Sequence, residues 1–278
     1  MNKAKLKWYN PQNFEEAYKI HLNNPLIVPC GGSTGILRTK RFKNEGFINL
    51  KYCNLSYIKE DKINNIIRIG ATTTFNEIIE YLKSLNYSED SFFGILLNAL
   101  SSAASYPLRN RITIGGSLFD LPIWSDIISP LLLTETNVIY NDDKKILLTE
   151  YIEKRKKIPH IIKEIVIKYN KDIQYFTQRF SLTNFDYAVF RFSFSYSISQ
   201  DFRFNYFNCA ISGTKNLIFI DKSFNEQFIN ICLDDEESLK KVIEKQLFGF
   251  SSDFRFDEEY KEKTCKNLLI EAIKRIKN

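Results

Sequence analysis

A chain of 278 residues with 44% hydrophobic and 26% charged side chains, 10 Gly and 7 Pro has a core to bury, which excludes disordered, collagenous and low-complexity classes. Its 39 Lys+Arg against 33 Asp+Glu leave a net charge of +6, spread along the chain and gathered in no tail, a weak basis for nucleic-acid binding. No run of about 18 apolar residues occurs, and the basic start Met1-Asn2-Lys3-Ala4-Lys5 has no apolar h-region behind it, so a cytoplasmic protein without membrane contact is expected.

In chain order, Asn13 with Glu16 three residues on reads as a helix cap, predicting a helix to Leu22 that stops at Asn23-Asn24-Pro25. Leu26-Ile27-Val28 reads as a buried strand running into Cys30-Gly31-Gly32-Ser33-Thr34-Gly35. A strand at Phe47–Leu50 and a hairpin-like pair around Asp61 follow, and Thr74 caps a helix with Phe75, Ile78, Ile79 and Leu82 at helical spacing. Phe92–Ala104 reads as an apolar helix broken by Tyr106-Pro107. Next comes Arg109-Asn110-Arg111-Ile112-Thr113-Ile114-Gly115-Gly116-Ser117, the second glycine turn. A helix is predicted from Ile127 to Thr134, then strands at Val138–Tyr140 and Ile146–Leu148 joined by Asn141-Asp142-Asp143. The basic run Lys154–Lys157 reads as a solvated loop.

From Asp186 onward Phe190, Phe192, Phe194 and Tyr196 alternate with Arg191, Ser193 and Ser195, as Phe202, Phe204 and Tyr206 do with their neighbours. These predict antiparallel strands with one aromatic face. Interleaved Arg and aromatics would also suit a single-stranded RNA platform, but amphipathic helices over Glu236–Leu247 and Glu258–Ile276 are available to cover the face, which favours a core. A boundary near 165–175 divides the chain into domains 1–168 and 169–278.

The five cysteines, Cys30, Cys53, Cys209, Cys232 and Cys265, are scattered without a CxxC pair, and His21 and His160 adjoin no ligand cluster. No metal site, iron-sulfur cluster or catalytic side chain is assigned. Chemistry points instead to the two glycine turns. Paired glycines let successive N–H groups converge on an anion, and Ser33, Thr34, Thr113 and Ser117 add hydroxyl donors, an arrangement suited to a diphosphate. Neither turn matches GxGxxG or the P-loop.

At Gly31-Gly32-Ser33-Thr34, Phe47-Ile48-Asn49-Leu50, Ile69-Gly70-Ala71-Thr72-Thr73-Thr74 and above all Arg109–Ser117, the chain resembles the FAD-binding subunits of the molybdenum hydroxylases, the xanthine, aldehyde and carbon monoxide dehydrogenases. The likeness runs through Asp126, Arg179 and Asp186 to Tyr260 and the last helix. It implies an α+β fold: a two-part FAD-binding domain of the vanillyl-alcohol-oxidase/PCMH type, then a small antiparallel sheet covered by helices. It also implies FAD held noncovalently by Gly31, Gly32, Ser33, Thr34 and Gly35 and by Thr113, Ile114, Gly115, Gly116 and Ser117, with Asp126 as a hydrogen-bonding partner of the cofactor and Ile162 packed near it. Molybdopterin and 2Fe-2S clusters are expected on partner chains only, a molybdopterin-binding subunit and a ferredoxin-like iron-sulfur subunit, with NAD or another acceptor taking the electrons in a xanthine dehydrogenase-like complex. Ser117 stands where the family usually has Asn, Pro122 and Ile123 where it has a Ser-Pro pair, and Gln178 where it has Lys or Arg. These departures keep open an alternative, a scaffold that bridges partner subunits without flavin.

Overall fold

The computed structural model describes residues 6–38, 45–155 and 160–276. Strand β1 (Lys7–Tyr9) leads to helix α1 (Phe14–Asn23), where the Asn13 side chain accepts from the Glu16 N–H as the sequence predicts. Strand β2 (Ile27–Cys30), helix α2 (Thr34–Arg38) and strand β3 (Gly46–Asn49) follow, and the three strands form a parallel sheet in the order β1-β3-β2. Phe14, Ala17, Ile27, Ile48, Leu50 and Leu55 fill the core beneath it.

A hairpin of β4 (Ile58–Asp61) and β5 (Ile66–Gly70) turns where Asp61 Oδ1 accepts from the N–H groups of Ile63 and Asn64. Thr74 and Glu77 close a capping box on α3 (Phe75–Lys83). Helices α4 (Phe92–Ser102), α5 (Tyr106–Arg109), α6 (Ile114–Asp120) and α7 (Ile128–Leu131) come next, the last shorter than the periodicity predicts. The Asn141–Asp143 turn joins β6 (Glu135–Tyr140) to β7 (Lys144–Leu147), with Asn141 and Asp143 in the left-handed region. The segment predicted to end that strand instead starts α8 (Leu148–Lys154), and β8 (Ile162–Lys168) completes an antiparallel sheet in the order β4-β5-β8-β6-β7. Of the basic run, Lys154 is exposed, Arg155 is buried at the end of α8, and Lys156 and Lys157 lie outside the described residues.

The remaining strands, β9 (Gln174–Phe180), β10 (Phe190–Ile198), β11 (Phe204–Thr214) and β12 (Leu217–Ile220), make a four-stranded antiparallel sheet in the order β12-β11-β10-β9. Helices α9 (Lys222–Glu226), α10 (Glu236–Lys245) and α11 (Glu258–Arg275) follow. Phe190, Phe192 and Phe194 are wholly buried in one cluster with Leu239 and Ile243 of α10 and Leu269 and Ile273 of α11. The aromatic face of β10 is therefore core and offers no stacking surface to RNA, whereas of the second run only Phe204 joins it: Phe202 lies exposed before β11, and a bulge turns Tyr206 outward and puts Phe207 in its place.

By packing the chain divides into two units. The first comprises residues up to Leu85, Ala104–Leu121 and Thr134–Tyr169; the second comprises Asn86–Ala103, Pro122–Leu133 and the chain from Asn170 onward. Helices α4 and α7 thus belong with the C-terminal sheet, whose second face is polar: the Ser129 hydroxyl of α7 meets that of Ser193 at 3.0 Å, and Arg191 donates to Asn98 and Ser102 of α4. No helix among the described residues is long and apolar enough to cross a membrane.

Candidate cofactor site

Both glycine turns lie in the first unit, and they adjoin. A Cβ on Gly32 would stand 1.3 Å from the Arg111 carbonyl oxygen, so only glycine permits the backbones to meet there. Thr113 Oγ1 lies between the turns, 2.9 Å from where a Cβ on Gly31 would be and 2.8 Å from one on Gly116. At the start of α2, Gly35 faces the Asp120 carboxylate.

The backbone donors of the two turns are used differently. In the second, Ile114 N–H donates to the Thr73 carbonyl at 3.0 Å and Gly115 N–H to the Ala71 carbonyl at 2.9 Å, while Thr113 Oγ1 caps Gly116 N–H at 3.2 Å. Those bonds fix the turn against residues 71–74, and Gly116 keeps an exposed face. In the first turn Ser33 has a φ of 64°, a left-handed conformation that costs a non-glycine residue on the order of 1 kcal/mol. The N–H groups of Gly32, Ser33 and Thr34 find no acceptor among the described residues. Successive open N–H groups around a left-handed residue form a nest for anionic oxygen, so this turn fits a diphosphate.

Cys30, at the entrance to the nest, is buried, and burial pushes its thiol up to about 11 although Ser33 hydrogen-bonds it in the opposite sense. It packs; it is not a reactive thiol. Ile162 is also buried, at the start of β8, and its neighbour Lys163 accepts the Ala71 N–H at 2.9 Å, which ties β8 to the second turn.

Asp126 lies in the second unit, and its Oδ1 accepts from Arg179 Nε at 3.0 Å and Arg191 Nε at 3.1 Å. Arg191, fully buried, donates further to Asn98 Oδ1 and Thr177 Oγ1, each at 3.0 Å, and to Ser102. Burial raises the Asp126 carboxyl above its ordinary value and the two guanidiniums pull it back; burial likewise lowers Arg191. The carboxylate expected to meet the cofactor is thus engaged, through Oδ1, by two arginines. Gln178 pairs with Phe192 on the aromatic face, its Oε1 buried and unpartnered. Trp124 lies against Tyr187 with ring centroids 4.7 Å apart.

Arg111 is the residue that the motif contains but sequence reading leaves without a role. Its exposed guanidinium approaches the Gly32 carbonyl through Nε at 3.4 Å and Nη2 at 3.3 Å. Its charge, two residues before a turn read as a phosphate cradle, was the available signal.

The family described as "FAD binding domain in molybdopterin dehydrogenase" matches residues 4–168. The chain belongs to this family. FAD is accordingly the cofactor of this FAD-binding domain. No curated protein sequence matches the chain significantly. Among solved structures, this member of the family is similar to quinoline 2-oxidoreductase from Pseudomonas putida 86 (TM-score 0.84, 15% identity, covering 98% of this chain and 97% of that one). It is also similar to reconstituted CO dehydrogenase from Oligotropha carboxidovorans (0.85, 16%, 99% and 98%). Carbon monoxide dehydrogenase from Hydrogenophaga pseudoflava, in a form lacking the Mo-pyranopterin moiety, gives 0.83 at 15% identity over 98% and 97%. At such identities the likeness is one of fold: the α+β, PCMH-type architecture extends over nearly the whole chain.

Proposed function

We propose that this chain is the noncovalent FAD subunit of a multi-subunit molybdenum hydroxylase, standing between an iron-sulfur partner and a final electron acceptor. Bound FAD supplies the exchange between single-electron and two-electron carriers, the step that joins a ferredoxin-like 2Fe-2S subunit to NAD or a similar acceptor. The carrying observation is the nest at Gly32, Ser33 and Thr34, three open donors in a turn held strained at Ser33. The second turn sets the other wall, with the exposed Gly116 as its point of close approach and Thr113 as the hinge between walls. The β8 backbone, through the Lys163 carbonyl, holds that wall in place, and Ile162 beside it packs near the cofactor.

Substrate oxidation belongs in this reading to a separate molybdopterin-binding subunit. A xanthine dehydrogenase-like assembly has no particular support, since the similar structures are a quinoline 2-oxidoreductase and CO dehydrogenases whose low identity selects no substrate. A cytoplasmic location belongs to the same proposal and is in keeping with five unpaired thiols.

The test is the visible absorbance of the purified chain before and after adding FAD, with Gly116→Trp as control. A two-band flavin spectrum, released by denaturation and absent from the variant, is expected. A colourless protein that ignores added FAD would overturn the proposal in favour of a scaffold that has kept only the fold.

A further inference from the structure

We propose that Arg111 supplies the positive charge that holds the cofactor's diphosphate where the two turns meet, a role that rests on the FAD reading above. Two observations combine. The first is position: the Arg111 carbonyl oxygen lies against Gly32, so the side chain leaves the second turn beside the first. The second is imperfect engagement. Nε and Nη2 share one carbonyl at 3.4 and 3.3 Å, beyond the usual range of 2.7–3.2 Å, and the residue is exposed. A guanidinium has five N–H donors arranged to fork onto phosphate oxygens, and this one has donors to spare.

The peptide joining Gly32 to Ser33 has its oxygen on the guanidinium and its N–H open in the nest. The cation therefore polarises the open donor through the peptide they share. Lysine would keep the charge and lose the fork.

FAD affinity of the full chain, measured by titration calorimetry at two NaCl concentrations for wild type, Arg111→Gln and Arg111→Lys, tests this. R111Q is expected to bind about 10- to 100-fold more weakly at 0.1 M NaCl, the range for one charge-assisted contact, and R111K to recover most of that loss. Wild-type affinity should fall with salt and that of R111Q should hardly change, because screening removes what the variant has already lost. Ligand-free melting temperatures should agree within about 2 °C, as for an exposed side chain. Equal affinity and equal salt dependence in wild type and R111Q would overturn the inference while leaving the FAD reading intact. So would a large drop in ligand-free melting temperature that R111K does not rescue, which would mark Arg111 as a structural latch. A wild-type chain that takes up no FAD would overturn the reading beneath it.

Discussion

His21 shows how one buried side chain couples stability to pH. On α1 its spacing suggests a surface or capping role, yet it is 5% exposed, with Nδ1 2.9 Å from the Ile27 carbonyl, and burial lowers it below its ordinary value of 6.5. Above pH 6.5 the ring is neutral in folded and unfolded chains alike, and the stability is fully present. As pH falls below that value the unfolded chain takes up a proton that the folded ring refuses, so stability is lost down to the folded value, at up to about 1.4 kcal/mol per pH unit. Urea unfolding between pH 7.5 and 5 should show this slope in wild type and a shallower one in His21→Gln; identical slopes would show that other groups carry it. Residue identity at the glycine turns was legible because glycine pairs after apolar runs are rare in this chain. Which N–H groups stay open was not, because Ile114 and Gly115 are engaged by carbonyls some forty residues away in sequence, and only the folded chain brings Thr73 and Ala71 there.

At the scale of elements, the Asp126 network joins β9, β10 and α4 through side chains that alternation places on the sheet's polar face. The two ion pairs are nearly dry, with side-chain exposures of 4% for Asp126, 10% for Arg179 and 0% for Arg191. Removing the carboxylate leaves two guanidiniums facing each other in a buried site. Asp126→Ala should therefore destabilise the chain by about 3–5 kcal/mol, and Asp126→Asn, which keeps an acceptor, by less; chemical denaturation measures both. A loss below about 1 kcal/mol in the alanine variant would mean that water reaches the arginines. Strand β10 was legible because period two with one polar face survives in the sequence; β11 was legible only in part, since Phe202 precedes it in a left-handed turn and a bulge shifts the alternation, leaving Tyr206 exposed and Phe207 buried. Strand β8 was not assigned: Ile162, Ile165, Val166 and Ile167 are buried on both its faces, so apolar residues run on without alternating. Strand β9 escaped for the opposite reason, being mostly half-exposed with mixed side chains.

Across the whole molecule, the units are compact in space but interleaved in sequence. The family match, which ends at residue 168, and the boundary read near 165–175 both suggest cutting there. A fragment 1–168 would nonetheless carry α4 without β9, stripping Phe92 of its edge contact with Tyr175 at 5.9 Å and leaving the Asp90 carbonyl without the Tyr175 N–H. It is expected to aggregate, or to unfold without a cooperative transition, whereas the full chain melts cooperatively; scanning calorimetry distinguishes these. A fragment that melts as sharply as the full chain would show that α4 has no need of the sheet. Texture revealed where the composition changes. It did not reveal that Asn86–Ala103 and Pro122–Leu133 pack with what comes after that point, since nothing local in an apolar helix says which sheet it will cover.

The same interleaving sets a timetable. At about 5–20 residues per second, α4 leaves the ribosome roughly 4–15 s before β9 exists to receive it. During that interval Phe92, Ile95, Leu96 and Leu100, all buried in the finished protein, have no sheet to lie against. Helix α4 is thus an orphan through that interval, and the cofactor cradle is complete little sooner, since β8, whose Lys163 carbonyl holds Ala71 beside the second turn, lies past the midpoint of the chain.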